Sequence, residues 1–149
     1  MDSFDELFQR EYPHVAGYCW RLVDDSDLAA DIAQEAFARL LARWLRVREP
    51  RAYVYRIATN LVREAWRERL RPLPEDTTAP SDPTTADIAV RLAVDALPLR
   101  YRTVVWLHYF AGLPVAEVAA VVGRRSGTVK WQLSEARARL ARVLEDGHA

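Results

Sequence analysis

The stretch RPLPEDTTAPSDPTTAD, residues 71–87, constrains the fold more than any other part of this 149-residue chain. It holds four prolines and four threonines and no aromatic residue. Proline fixes φ and removes a backbone donor, so the stretch cannot form a helix interior, and it has too little apolar surface to offset its ordering entropy. It reads as a linker, acidic over 72–87, that divides the chain into units at 1–71 and 88–149. Half of all residues are hydrophobic and only five are glycine, with alanine, leucine and arginine abundant. That balance supports packed helices rather than sheet. The expected fold class is all-α: two small helical domains joined by a flexible Pro/Thr-rich linker and free to move independently.

In the first unit Phe4, Leu7, Phe8, Tyr12, Val15, Cys19 and Leu22 recur at helical spacing, and Pro13 is expected to kink or split that helix. The DDSD run at 24–27 offers caps for a second helix, since Ser and Asp accept the orphan amide bonds of a first turn. That helix, from about Leu28 to Leu45, buries Ala33, Phe37, Leu40 and Trp44 and turns Asp31, Gln34 and Glu35 outward. Pro50 suits the start of a third helix. At about 100° per residue, Val54, Ile57, Ala58, Leu61 and Ala65 share its apolar arc. Arg56, Asn60, Arg63 and Arg67 share the opposite one, with Tyr55, Thr59, Val62 and Trp66 along the edge. Guanidinium groups beside aromatic rings can neutralise phosphates and stack on unpaired bases. An exposed arginine face with packed aromatics is the plainer alternative.

The second unit carries a sharper pattern. ALPLRYRTVVWLHYFAG reads as a helix ending at Gly112, and LPVAEVAAVVG as a short helix closed by Gly123. RRSG forms a turn with Ser126 as cap, and Val129, Leu133, Ala136, Leu140 and Leu144 make the buried stripe of the last helix. A small residue at 119, a glycine at 123 and an apolar anchor at 129 have helix-turn-helix spacing. Arg124, Arg125, Ser126, Thr128, Lys130 and Trp131 then surround the N-terminal end of the second helix, where side chains meet phosphates and base edges in a major groove.

Net charge is zero but segregated: −7 over 1–35, +7 over 36–71, −4 over 72–87 and +4 over 88–149. Two basic blocks separated by an acidic one suit a polyanion partner. Cys19 is the lone cysteine, which excludes a disulfide framework and suits a buried thiol in a reducing cytoplasm. His14, His108 and His148 are scattered, and no nucleophile sits beside a base, so no catalytic residue, metal site or cofactor is expected. No apolar run approaches a membrane span, and no membrane insertion is expected.

These segments resemble those of a known family. DLAADIAQEAFARL resembles the part of bacterial sigma factors that binds the clamp helices of the RNA polymerase β′ subunit. PRAYVYRIATNLVREAWRER resembles their adjoining −10 recognition and melting segment, and residues 96–140 resemble their −35-binding helix-turn-helix. Two such domains with a short linker are similar to the extracytoplasmic-function (ECF) group. The resemblance implies that Asp31, Gln34 and Glu35 dock on core polymerase. It assigns the −10 element to Arg46, Arg48, Arg51, Tyr55, Arg56, Asn60, Arg63, Trp66 and Arg67. It assigns the −35 element to residues 114–133, through Arg124, Arg125, Ser126, Thr128, Lys130, Trp131 and Gln132. Expected partners are core RNA polymerase (β′ clamp helices and β flap), promoter DNA and an anti-sigma factor. Gln132 stands where the family often has arginine, Glu135 where a base is usual, Trp131 where a small polar residue is usual and Glu64 where aspartate is usual. A stand-alone helix-turn-helix regulator is the main alternative and should bind duplex DNA without polymerase. A helical adaptor or decoy is the other.

Overall fold

The structure, a computed structural model, describes residues 3–68 and 86–146, and every regular element among them is helical. Three helices form the first half: α1 (Phe4–Val23), α2 (Ser26–Ala42) and α3 (Pro50–Glu68), with a short 3₁₀ turn at Trp44–Arg46 between the last two. The second half comprises α4 (Ala86–Asp95), α5 (Leu99–Val105) running into a π turn at Trp106–Phe110, α6 (Val115–Val122) and α7 (Ser126–Asp146). The proposed linker lies outside the described residues except for its last two positions, which already belong to α4.

Capping sets the boundaries of the first half. Ser3 accepts the Glu6 amide at 3.2 Å to start α1. Asp24 takes the left-handed conformation at its end (φ 51°), its amide bonding Trp20 O at 2.8 Å. Asp25 accepts the Leu28 amide at 3.1 Å to start α2. The DDSD run thus ends one helix and begins the next. Pro13 does not split α1, which continues through it. It sits on the exposed face, so the carbonyl it cannot serve is turned toward water.

Tyr18, Leu22, Phe37, Leu40, Val54, Tyr55 and Val62 are almost completely buried among α1, α2 and α3. Each large apolar side chain so placed contributes about 1.5–3 kcal/mol of burial. Tyr18 and Tyr55 meet edge to face at 5.4 Å, and the Tyr18 hydroxyl shares a 2.7 Å hydrogen bond with Thr59 Oγ1. Burial raises the pKa of both phenols, so they stay neutral. Cys19 is buried too, its thiol pushed up to about 12 by desolvation, which leaves it inert.

In the second half Tyr101, Val104, Leu107, Leu113, Val118 and Val129 form the core. His108 bonds the Leu113 carbonyl through Nδ1 at 2.8 Å, a satisfied structural histidine. In this structure the two halves pack against one another. Their buried residues merge into one cluster, with α3 packed along α6 and α1 against α5 and the π turn.

Candidate nucleic-acid interface

The helix-turn-helix forms as its spacing requires. Gly123 is left-handed (φ 71°), and its amide and that of Arg124 both bond the Ala119 carbonyl, at 2.9 and 3.1 Å. Ser126 opens α7, and the Arg125 carbonyl accepts the Val129 amide at 3.1 Å. Val129 is fully buried and Ala119 nearly so, which pins the start of α7 across α6. Arg124, Arg125, Ser126, Thr128 and Lys130 are exposed, and Trp131 is 60% exposed with its ring 6.3 Å from Tyr101. Among the described residues the three cations of this end have no carboxylate partner. Gln132 departs from the expectation. It follows Val129 by three residues, falls on the inward face beside Leu133 and is buried, so it is not offered to DNA in this arrangement. Glu135 is engaged along its own helix by Arg139 at 3.3 Å and Arg142 at 3.9 Å.

The second cationic face lies on α3 and the segment before it. Arg46, Arg48, Arg56, Asn60 and Arg67 are exposed. Arg43, Arg46, Arg48 and Arg56 surround a groove of about 480 Å³ with Tyr53, and Ala120 and Val121 of α6 form its far wall. The remaining expected members are spoken for. Arg51 pairs with the buried Glu11 at 3.1 Å and donates a hydrogen bond to the Ala111 carbonyl. Arg63 donates to the Val122 carbonyl at 3.1 Å. Burial holds the Arg63 guanidinium below the ordinary arginine value, with repulsion from Arg124 and Arg67 adding to the effect against the pull of Tyr18. Trp66 is half-buried, its indole N–H donating to the Leu22 carbonyl at 3.0 Å. Tyr55 is a correction. It is fully buried against Tyr18, because the buried arc of α3 is centred on Tyr55, Ala58, Thr59 and Val62 rather than on Ile57 and Leu61, which are half-buried. Its ring cannot stack on a base.

A third surface differs in chemistry. Asp31, Gln34 and Glu35 project from α2 opposite the buried Ile32, Ala33, Ala36 and Phe37. All three are exposed, and Glu35 pairs with Arg39 at 2.9 Å.

Several residues at the junction of the halves escaped the reading of the sequence. Arg21 of α1 lies over the rings of Trp106 and Phe110, at 4.8 and 4.3 Å. Arg91 of α4 lies over Trp20 at 4.4 Å. Arg102, buried, donates to the Leu22 and Leu97 carbonyls at 3.4 and 3.2 Å and lies 5.7 Å from the Trp66 ring. Apart from the Leu97 carbonyl, their partners are carbonyls and rings distant in sequence, for which no local pattern exists.

Among the described residues no group of His, Cys, Asp or Glu is arranged to hold a metal, and no helix is long and apolar enough to cross a membrane. An all-helical chain with a helix-turn-helix and a second cationic helical face defines a class of DNA-binding transcription proteins. The particular family follows from comparison with known proteins. The family models of Sigma-70 region 2 and Sigma-70 region 4 match residues 7–71 and 87–140. The chain is 37% identical to the RNA polymerase sigma-E factor of Streptomyces coelicolor, over 95% of this chain and 86% of that one. It is 31% identical to the ECF RNA polymerase sigma factor SigM of Mycobacterium tuberculosis, over 95% and 77%. Its fold resembles that in the co-crystal structure of the sigma factor RpoE in complex with the anti-sigma factor NepR from Bartonella quintana (TM-score 0.75, 21% identity, 95% of this chain and 96% of that one). A second likeness is to the structure of CnrH in complex with the cytosolic domain of CnrY (TM-score 0.73, 23% identity, 96% and 88%). The chain belongs to the ECF sigma factors of bacterial RNA polymerase, a family of non-enzymatic transcription initiation factors.

Proposed function

We propose that this chain docks on core RNA polymerase through Asp31, Gln34 and Glu35 and directs it to promoters with its two cationic faces. The observation that carries the reading is the exposed acidic and amide surface of α2, on the same half as the arginine face of α3. A DNA-binding protein acting alone has no use for it, because carboxylates repel phosphate. Residues 1–71 supply core docking and capture of the −10 element through Arg46, Arg48, Arg51, Arg56, Asn60, Arg63, Trp66 and Arg67. Residues 88–149 supply −35 binding through Arg124, Arg125, Ser126, Thr128, Lys130 and Trp131. The acidic segment 72–87 links them.

The factor works in the cytoplasm, without catalytic residue, cofactor or metal. It positions polymerase and stabilises unpaired −10 bases, whose unstacking costs roughly a few kcal/mol per step. Arginines holding backbone phosphates, together with captured bases, offset that cost. An anti-sigma factor is a further partner, supported by the solved complex of a sigma factor with an anti-sigma factor that the fold resembles. The test is binding of the purified chain to core polymerase with Gln34→Ala alongside. Wild-type binding that weakens in the variant is the expected result. Tight duplex binding with no affinity for core would overturn the reading.

A further inference from the structure

The start of α7 carries a large aromatic side chain that phosphate binding does not require. Trp131 is 60% exposed, the most exposed aromatic ring among the described residues. Two residues after the buried Val129, at about 100° per residue, it points almost directly away from the contact with α6. Gly127 lies one turn earlier on the same outer face, and a Cβ placed on it would meet nothing within 4 Å. A helical side chain leans back over the turn before its own Cα, so the indole overlooks Gly127 and the exposed Thr128. The indole, the Thr128 methyl and the bare backbone of Gly127 together bound an apolar notch beside Lys130.

The ring is braced from one side. Tyr101, itself buried, lies 6.3 Å from it at 49°. The guanidinium groups of Arg100 and Arg139 each sit 4.6 Å from the centre of the Tyr101 ring. Arg139 also pairs with Glu135 at 3.3 Å, and Arg142 approaches the same carboxylate at 3.9 Å. The acid one turn beyond Trp131 is thereby neutralised where it would otherwise repel phosphate. Trp131 and Glu135, two departures from the usual residues of the family, thus belong to one assembly running from Glu135 through Arg139 and Tyr101 to the indole. A ring held in place before binding loses less freedom on contact.

We propose that Trp131 selects a thymine within the −35 duplex, its indole and the Gly127 notch receiving the C5-methyl group. The inference rests on the assignment of the α7 turn to the −35 element made above, and it names what Trp131 reads there. The thymine methyl is the one apolar substituent that base pairs display in the major groove, among hydrogen-bond donors and acceptors. An indole face pressed on a donor or acceptor buries that group unpaired, which costs free energy. Pressed on a methyl, it removes apolar surface from water on both sides. Arg124, Arg125 and Lys130, exposed around it, hold the register on phosphates, and the methyl contact adds the sequence information that phosphates lack.

The test uses the full chain bound to core RNA polymerase and starts by selecting duplexes from a pool randomised over the −35 region. A selected duplex is then remade with deoxyuridine in place of each thymine in turn, which removes the methyl and keeps every hydrogen-bonding group. At one position this is expected to weaken wild-type binding about fourfold, the effect of one buried methyl. Trp131→Ala should bind the thymine duplex more weakly by the same factor and no longer distinguish thymine from uracil there. Trp131→Phe should keep the distinction. Gly127→Ala fills the notch with a better helix former and should narrow it without loss of folding. Lys130→Ala should weaken both duplexes equally. Uracil as good as thymine at every position, or a selected site with no thymine, would overturn the inference and leave the −35 assignment standing. A methyl effect that survives in Trp131→Ala belongs to another side chain and overturns it as well. Loss of core affinity in Trp131→Ala, with the methyl effect intact, would make Trp131 a protein contact instead. Duplex binding indifferent to both Lys130→Ala and Trp131→Ala would overturn the −35 assignment, and the inference with it.

Discussion

The two cationic faces of this sigma factor are made of the same residue types and meet different fates. At the start of α7, Arg124, Arg125 and Lys130 project into solvent from a short turn. On α3, Arg51 and Arg63 are drawn into bonds with main-chain carbonyls of the other half, while Arg56 and Arg67 on the same helix remain exposed. Arg51 is also held by the buried Glu11 of its own half at 3.1 Å, but Arg63 has no carboxylate among the described residues to explain its engagement. The acceptors that decide it are helix-end carbonyls, and every helix supplies them regardless of sequence. An arginine without an acidic neighbour is thus not necessarily free to bind DNA.

The largest expected effect tests where that face ends. Tyr55→Ala should cost about 3–5 kcal/mol of stability, as for other large-to-small changes in a packed core, and lower the melting temperature of the chain. Tyr55→Phe should be close to neutral, because the buried hydroxyl has no hydrogen-bond partner among the described residues. A Tyr55→Ala variant with unchanged melting and weakened oligonucleotide binding would return Tyr55 to the DNA face. The next effect addresses the other region. Gly123→Ala, at φ 71°, should cost about 1–2 kcal/mol for placing a Cβ in the left-handed region. It should also weaken −35 duplex binding, since the turn sets the angle of α7. A variant that melts and binds like the wild type would show that the turn tolerates the Cβ and that its geometry does not depend on glycine.

Much of this architecture is legible in the sequence, and the gaps have a common cause. The stripes of α2 (Ala33, Phe37, Leu40) and α7 (Val129, Leu133, Ala136), the cap at Asp25 and the left-handed Gly123 follow from periodicity and turn chemistry, which are local, whereas Asp24 closes α1 instead of capping α2, and Trp44 falls in the 3₁₀ turn beyond α2. The rotation of the α3 core toward Tyr55 and Thr59 was missed because Tyr18 chooses it, 41 residues before Thr59 in sequence. Gln132 resembles a surface amide until its place beside Leu133 is known. The packing of the halves was hidden altogether, since the Pro/Thr-rich stretch that suggests independence says nothing about complementary surfaces at either end. The family resemblance supplied roles for single residues that periodicity alone would have left as cationic stripes.

A smaller effect compares the two faces on one scale. Lys130→Ala should flatten the dependence of −35 duplex affinity on salt by about 0.9 of a logarithmic unit, one phosphate contact, or about 3.5-fold between 50 and 200 mM. Arg63→Ala should flatten the dependence for a −10 single strand by less than the roughly 0.7 expected of a free contact, because phosphate must first displace the Val122 carbonyl from Arg63. Equal and full slopes would mean that the carbonyl offers no competition, and the contrast between the faces would fall.

The smallest effect concerns pH and the seam itself. Asp95 of α4 faces Arg102 and Arg91 of its own half and Asp24 and Arg21 of the other, and burial raises its pKa above the ordinary 3.8, only partly opposed by Arg102 and Arg91. A closed chain therefore takes up the Asp95 proton more readily than an open one in which the carboxyl is hydrated. The stabilisation of closure is fully present below 3.8 and is lost as pH rises through the raised value. Acidifying from neutrality toward the carboxylate range should shorten the mean distance between the halves. Asp95→Asn, which mimics the protonated group, should stay closed at neutral pH and lose this dependence. If Asp95→Asn instead opens the chain, attraction to Arg102 and Arg21 outweighs the cost of burial, and Asp95 holds the halves together rather than straining their contact.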